Sequence, residues 1–108
     1  MVTKRKFNIP IYDFKVEVVI FDDVKEVVDK YPEMNNFAGI TRLYDRKCTL
    51  VLPSNDLNTV VHECEHAKNA VWDFIGYIPS AKEDEVDAYL LTYIFSKVME
   101  IMKKHTSN

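Results

Sequence analysis

Apolar and polar positions change their period several times along the chain, and each change predicts an element. From Phe14 to Phe21 (FKVEVVIF) β-branched and aromatic residues dominate, with Lys15 and Glu17 alternating against apolar neighbours, which predicts a strand. Asp22 and Asp23 then stand before Val24, Val27 and Val28 at helical spacing, so a short helix lying on the sheet is expected up to Pro32. From Ala38 to Leu52 the pattern is extended again. Ile40, Leu43 and Tyr44 precede Asp45-Arg46, and Cys48, Leu50, Val51 and Leu52 follow, so a β-hairpin is predicted, although Asp-Arg is a weaker turn signal than Asn-Gly. Pro53 ends that strand, and Ser54, Asn55 or Asp56 can cap what comes next.

Two long helices complete the pattern. Leu57, Val60, Val61, Cys64, Ala67, Val71, Phe74 and Ile75 form one broad stripe, predicting a helix from Leu57 to about Ile75 that stops at Gly76. Pro79 and Ser80 open a second helix, with Ser80 and Glu83 at capping-box spacing. Between Ala88 and Phe95 (AYLLTYIF) it is apolar on nearly every side and is expected to be the most buried element, while Lys103 and Lys104 suit a helix C-terminus. The predicted fold is α+β: a short sheet made of a strand, a helix and a β-hairpin, packed on two long C-terminal helices. With 108 residues and no repeat or flexible linker, residues 1–108 are read as one domain.

Composition narrows the function classes. Hydrophobic residues make up 47% and charged residues 29%, so nearly all of the chain is expected to fold. A net charge of −3, with no basic concentration after Lys4, Arg5 and Lys6, argues against a nucleic-acid partner. The opening segment lacks the apolar run of a secretory signal and no later stretch is apolar for long enough to span a membrane, so no membrane association and a cytoplasmic location are expected. Cys48 and Cys64, the only two cysteines, suit a reducing compartment better than a disulfide framework.

The chemistry concentrates in His62-Glu63-Cys64-Glu65-His66. Histidines four apart on a helix stand one above the other, so both imidazoles can converge on one ion, and Zn2+ is the cofactor expected. Glu63 lies about 100° around the helix from His62, where it is suited to take a proton from a metal-bound water. It is therefore the expected general base. Cys64 points away from the histidine face and reads as a buried core thiol.

A catalytic zinc needs a third protein ligand. Asp73 shares the histidine face but lies seven residues beyond His66, roughly 10 Å of helical rise away. The acidic cluster Glu83, Asp84, Glu85 and Asp87 is the better source, and since Glu83 has a capping role, Glu85 is the expected third ligand with a neighbouring acid as the alternative. Helix-dipole stabilisation is the competing reading of that cluster. His105, in the polar tail, reads as solvated.

HECEH followed nineteen residues after His66 by Glu85, with Ala88 three residues later, resembles the gluzincins, in which a downstream helical E-x-x-A carries the third ligand. Similar patterns occur in minimal gluzincins, in ImmA/IrrE-type metallopeptidases and in short zincin-like proteins of bacteriophages. The resemblance covers mainly residues 60–94. It implies a small zincin-like fold, with His62, His66 and Glu85 as zinc ligands, Glu63 as base, and an edge strand within Lys47 to Leu52, including Lys47, Thr49 and Val51, pairing with extended substrate. The metzincin pattern does not match, because Trp72 occupies the place of its third histidine. Tyr89 and Tyr93, one and two turns beyond Glu85, are candidates to stabilise an oxyanion, with core packing as the alternative. The function so implied is a zinc-dependent metallopeptidase acting on a peptide or protein substrate. The competing class is a zincin-fold binding or inhibitory protein, of the phage-encoded kind, with a structural or vestigial metal site.

Overall fold

The structure, a computed structural model, describes residues 1–107. It is an α+β fold with four strands, β1 (Val2–Ile9), β2 (Phe14–Phe21), β3 (Ile40–Leu43) and β4 (Lys47–Pro53), and two helices, α1 (Leu57–Ile75) and α2 (Glu85–Thr106). The sheet order is β1-β2-β4-β3, with β2 and β4 parallel at the centre and antiparallel strands on both edges.

The central position of β2 follows from its sequence. FKVEVVIF is apolar on both pleat faces at most positions, so it is stable only when both faces are covered. Phe14, Val16, Val18 and Ile20 pack with Cys48, Leu50 and Leu52 beneath the helices. Val19, Phe21 and Val51 face the other way, onto Val27, Tyr31, Met34 and Ile40. The segment between β2 and β3 therefore covers one end of the outer sheet face and leaves the rest open.

That covering segment is not the expected helix. It consists of two short 3-10 turns, Val24–Glu26 and Pro32–Asn35. Asp23 and Glu26 form a capping box on the first, and Pro32 starts the second. A continuous helix would carry Val24 and Val28 on the same stripe as Val27, whereas the broken path turns Val27, Tyr31 and Met34 onto the sheet and leaves Val24 exposed.

β1 is the element that the hydrophobic pattern misses. Its sequence VTKRKFNI is dominated by cations, yet Thr3, Phe7 and Ile9 face the helix layer while Lys4, Lys6 and Asn8 alternate to the outside. The hairpin of β3 and β4 forms as expected, closed by a bond from Tyr44 N–H to the Lys47 carbonyl at 2.8 Å.

The helix layer also matches in part. α1 has the expected bounds, with Asp56 accepting from Thr59 N–H at the N-cap and Gly76 left-handed at φ 76° as the C-cap. α2 starts later than expected. Ser80 and Glu83 close a turn through a bridge and a bond from Glu83 N–H to the Ser80 carbonyl, and the helix begins at Glu85. The stretch Ala88 to Phe95 is not buried all round. The buried stripe is Leu90, Ile94, Val98, Met102 and His105, because a helix on one side of a sheet has a solvent face whatever its residues are.

His105 is not solvated either: it is 2% exposed. Its Nε2 is 2.8 Å from Asp22 Oδ1 and its Nδ1 is 2.6 Å from Thr3 Oγ1, which ties the end of α2 to β1 and the end of β2. Bonds from Ser54 and His105 hold the Asp22 carboxyl down at about 2.

Candidate functional site

α1 carries HECEH across its middle. His62 and His66 project from the same flank with their Nε2 atoms 3.2 Å apart and their rings edge to face, 4.8 Å between centroids. Both rings are exposed, His62 with 68% of its side chain in solvent. Glu63 turns inward instead, 6% exposed, and its Oε1 accepts from the Thr41 hydroxyl at 2.8 Å while Oε2 lies 4.0 Å from His62 Nε2. The carboxylate thus links the helix to β3. Gly39 makes that approach possible, since a Cβ there would stand 2.6 Å from Thr59 Cγ2 and 3.3 Å from Glu63 Cγ.

Between β3 and this flank of α1 runs a groove of about 670 Å³. Phe37, Ile40 and Leu43 supply apolar surface on the sheet side, and His62, His66 and Asn69 supply polar groups on the helix side. Asp73 lines its far end, well along the helix from the imidazole pair. Glu33 lies on the opposite wall, held at about 2 by two bonds from the Arg42 guanidinium at 2.8 and 2.7 Å.

α2 does not deliver an acid to this groove. Glu85 is its first residue and is exposed. Asp87, in the same first turn, reaches the other flank of α1, where it accepts from Lys68 Nζ at 2.8 Å and from the Trp72 indole at 2.6 Å. Lys68 is 5% exposed and also meets Glu65 Oε1 at 2.7 Å. Desolvation opposes the charge on Asp87, but the bonds from Lys68 and Trp72 outweigh it and leave the carboxyl below its ordinary value.

The residues therefore test the zinc expectation directly. Two imidazole nitrogens on a tetrahedral zinc would stand roughly 3.3 Å apart at bond lengths of about 2.0–2.1 Å, so the observed pair suits two corners of such a site. The third corner is missing, because among the described residues no three His, Cys, Asp or Glu side chains are grouped to hold a metal ion. This corrects the expected function: the donor set for a zinc-dependent metallopeptidase, with Glu63 acting on a metal-bound water, is not assembled. The same correction applies to a structural zinc closed by Glu85.

The remaining candidates fall elsewhere. Tyr89 is 69% exposed, and the Tyr93 hydroxyl donates to the Asn8 carbonyl at 3.3 Å while its ring meets Phe7 edge on. Neither lines the groove. Lys47, Thr49 and Val51 do not form an edge, because β4 is paired on both sides, with β2 and with β3. Thr49 donates to buried Glu17 at 3.2 Å, and Val51 is fully buried. The free edge beside the groove is β3. Hairpins place the turn-side strand order only through packing, so the sequence pattern alone does not say which of the two strands lies outside. Cys48 and Cys64 are buried free thiols, both pushed up to about 12 by burial and thus unsuited to nucleophilic work.

Gly39, Thr41 and Lys68 are the positions that motif reading passes over, and Asp87, read there only as an alternative metal ligand, is instead the partner of Lys68 and Trp72. Asp87 had a signal, since Lys68 and Trp72 lie four apart on one flank of α1, but Thr41 had none. No protein-family profile matches the chain, and neither a curated protein nor a solved structure shows significant similarity to it. No helix among the described residues is long and apolar enough to cross a membrane.

Proposed function

We propose that the chain is a peptide-binding protein of zincin-like layout, which takes an extended segment of a partner as an added strand along β3. What supports that layout is a mixed sheet whose short edge strand, β3, runs beside the helix carrying HECEH. The open edge of β3 carries the proposal. Antiparallel pairing alternates, and the bonded pair Tyr44 and Lys47 fixes the phase, so the main-chain groups of Thr41 and Leu43 point away from β4. Among the described residues these groups have no backbone partner. Extended peptides bind such edges by main-chain hydrogen bonds, and side-chain pockets set the preference.

Here the adjoining groove offers Phe37 and Leu43 to an apolar side chain, and the imidazoles of His62 and His66 to a polar or acidic one. Glu63 serves as a brace, fixing β3 to α1 through Thr41. The test uses peptides selected from a random display library on the purified protein and measured by fluorescence anisotropy. Leu43→Pro removes one outward N–H without costing a bond to β4, so it should weaken selected peptides about tenfold or more while the unfolding midpoint stays put. Peptides that bind this variant as tightly as the wild type, or a selection that yields none, would overturn the proposal.

A further inference from the structure

On the opposite side of the molecule, the open half of the outer sheet face collects cations that are scattered in sequence. Lys4 and Lys6 of β1, Lys15 of β2 and Lys47 of β4 all alternate to that face, with Lys6 opposite Glu17 and Lys15 opposite Lys47. Lys30 joins them from the covering segment, close enough to Lys4 that the two ammonium groups interact and the pKa of Lys30 falls. One carboxylate stands among these five groups. Glu17 is 5% exposed, with Lys4 and Lys47 each 3.6 Å away, so it lies sunk beneath the ammonium layer.

We propose that this face binds single-stranded nucleic acid. Its charge is opposite to that of the chain as a whole, which carries a net −3, so acidic groups lie elsewhere and would orient the molecule on a polyanion. At the lower rim a groove of about 410 Å³ opens between Lys15, Lys47 and the ring of Tyr44, bounded also by Asp13, Asp45 and Arg46, of which Asp13 and Arg46 pair with each other at 3.1 Å. Tyr44 is 52% exposed, and Lys47 Nζ lies 5.6 Å from its ring centre. A ring beside ammonium groups suits a base stacked next to its own phosphate. An acidic peptide or an anionic lipid surface would use the lysines and gain nothing from the ring. A flat sheet face also has no projecting helix for a duplex groove, whereas it accepts bases splayed from one strand.

The experiment measures anisotropy of a labelled dodecathymidylate between about 50 and 200 mM salt. Four phosphates neutralised at about 0.7 each predict a log–log slope near −3. Lys15→Glu and Lys6→Glu should each weaken binding about tenfold at the lower salt, and Tyr44→Ala at least about fivefold. The control Lys103→Glu/Lys104→Glu, on the end of α2, should bind as wild type. Circular dichroism checks that each exposed-site variant is folded. No saturable binding at the lowest salt, or equal binding by Lys15→Glu and the control, overturns the proposal. So does a result in which polyglutamate or phosphatidylserine vesicles bind as tightly as the oligonucleotide and Tyr44→Ala has no effect, which would assign the face to an acidic peptide or a lipid surface instead.

Discussion

The two flanks of α1 carry similar chemistry in opposite states. On one flank His62 and His66 face each other in an open groove and meet no acid from α2. On the other, Lys68 and Trp72 are buried and share the carboxylate of Asp87. A helix of this length has only one neighbour in the α layer, and the acids of that neighbour can be directed to one flank. Here the acid goes where it neutralises a buried ammonium group, which would otherwise carry a desolvation cost of several kcal/mol. Exposed imidazoles make no such demand. The comparison separates the part of HECEH that builds the fold from the part that is free to meet a partner.

Removing Asp87 should therefore have the largest effect. Asp87→Ala leaves the Trp72 indole without its acceptor and Lys68 with only Glu65, and a loss of about 3 kcal/mol in urea-unfolding free energy is expected. The pH dependence carries the same signature. The folded carboxyl lies below its ordinary value, so its contribution is complete above that value, roughly 3.9, and is lost as pH falls below it. Wild type should lose stability on acidification in that window more steeply than Asp87→Asn does. Equal slopes would show that the lysine flank is not held by this charge. A smaller change, Trp72→Phe, keeps the ion pair but removes one hydrogen bond and one ring of a buried indole, for an expected cost of about 2 kcal/mol by the same measurement.

These contrasts also explain what the sequence could reveal. β2, the β3–β4 hairpin and α1 were legible because each shows a hydrophobic period over at least one full element, and Pro53 and Gly76 mark the ends of the hairpin and of α1. β1 was hidden because its outward residues include Lys4 and Lys6, and its inward set includes Arg5 and Thr3, whose hydroxyl is bonded to His105. The start of α2 was misplaced because Ser80 and Glu83 satisfy a cap in sequence and a turn in space. At the site, the spacing of His62 and His66 correctly placed two rings together, since helical geometry alone decides that. The third ligand depended on how α2 rolls against α1, which the burial of Lys68 and Trp72 decides through Asp87. The interior position of β4 and the basic sheet face likewise depend on strand order, and no local pattern encodes that order.

The smallest effect should come from the open flank. His62→Ala and His66→Ala remove exposed rings whose main contact is each other, so each should change the unfolding free energy by no more than about 0.5 kcal/mol. Zinc sharpens the contrast further. A ligand that binds only the folded state raises stability in proportion to the logarithm of its concentration over its dissociation constant, and two imidazoles without a third donor bind weakly. A tenfold excess of zinc over protein should then move the wild-type melting temperature by less than about 1 °C. Should zinc instead raise it saturably at one equivalent, and only while both histidines are present, a third donor must reach the pair when metal is added.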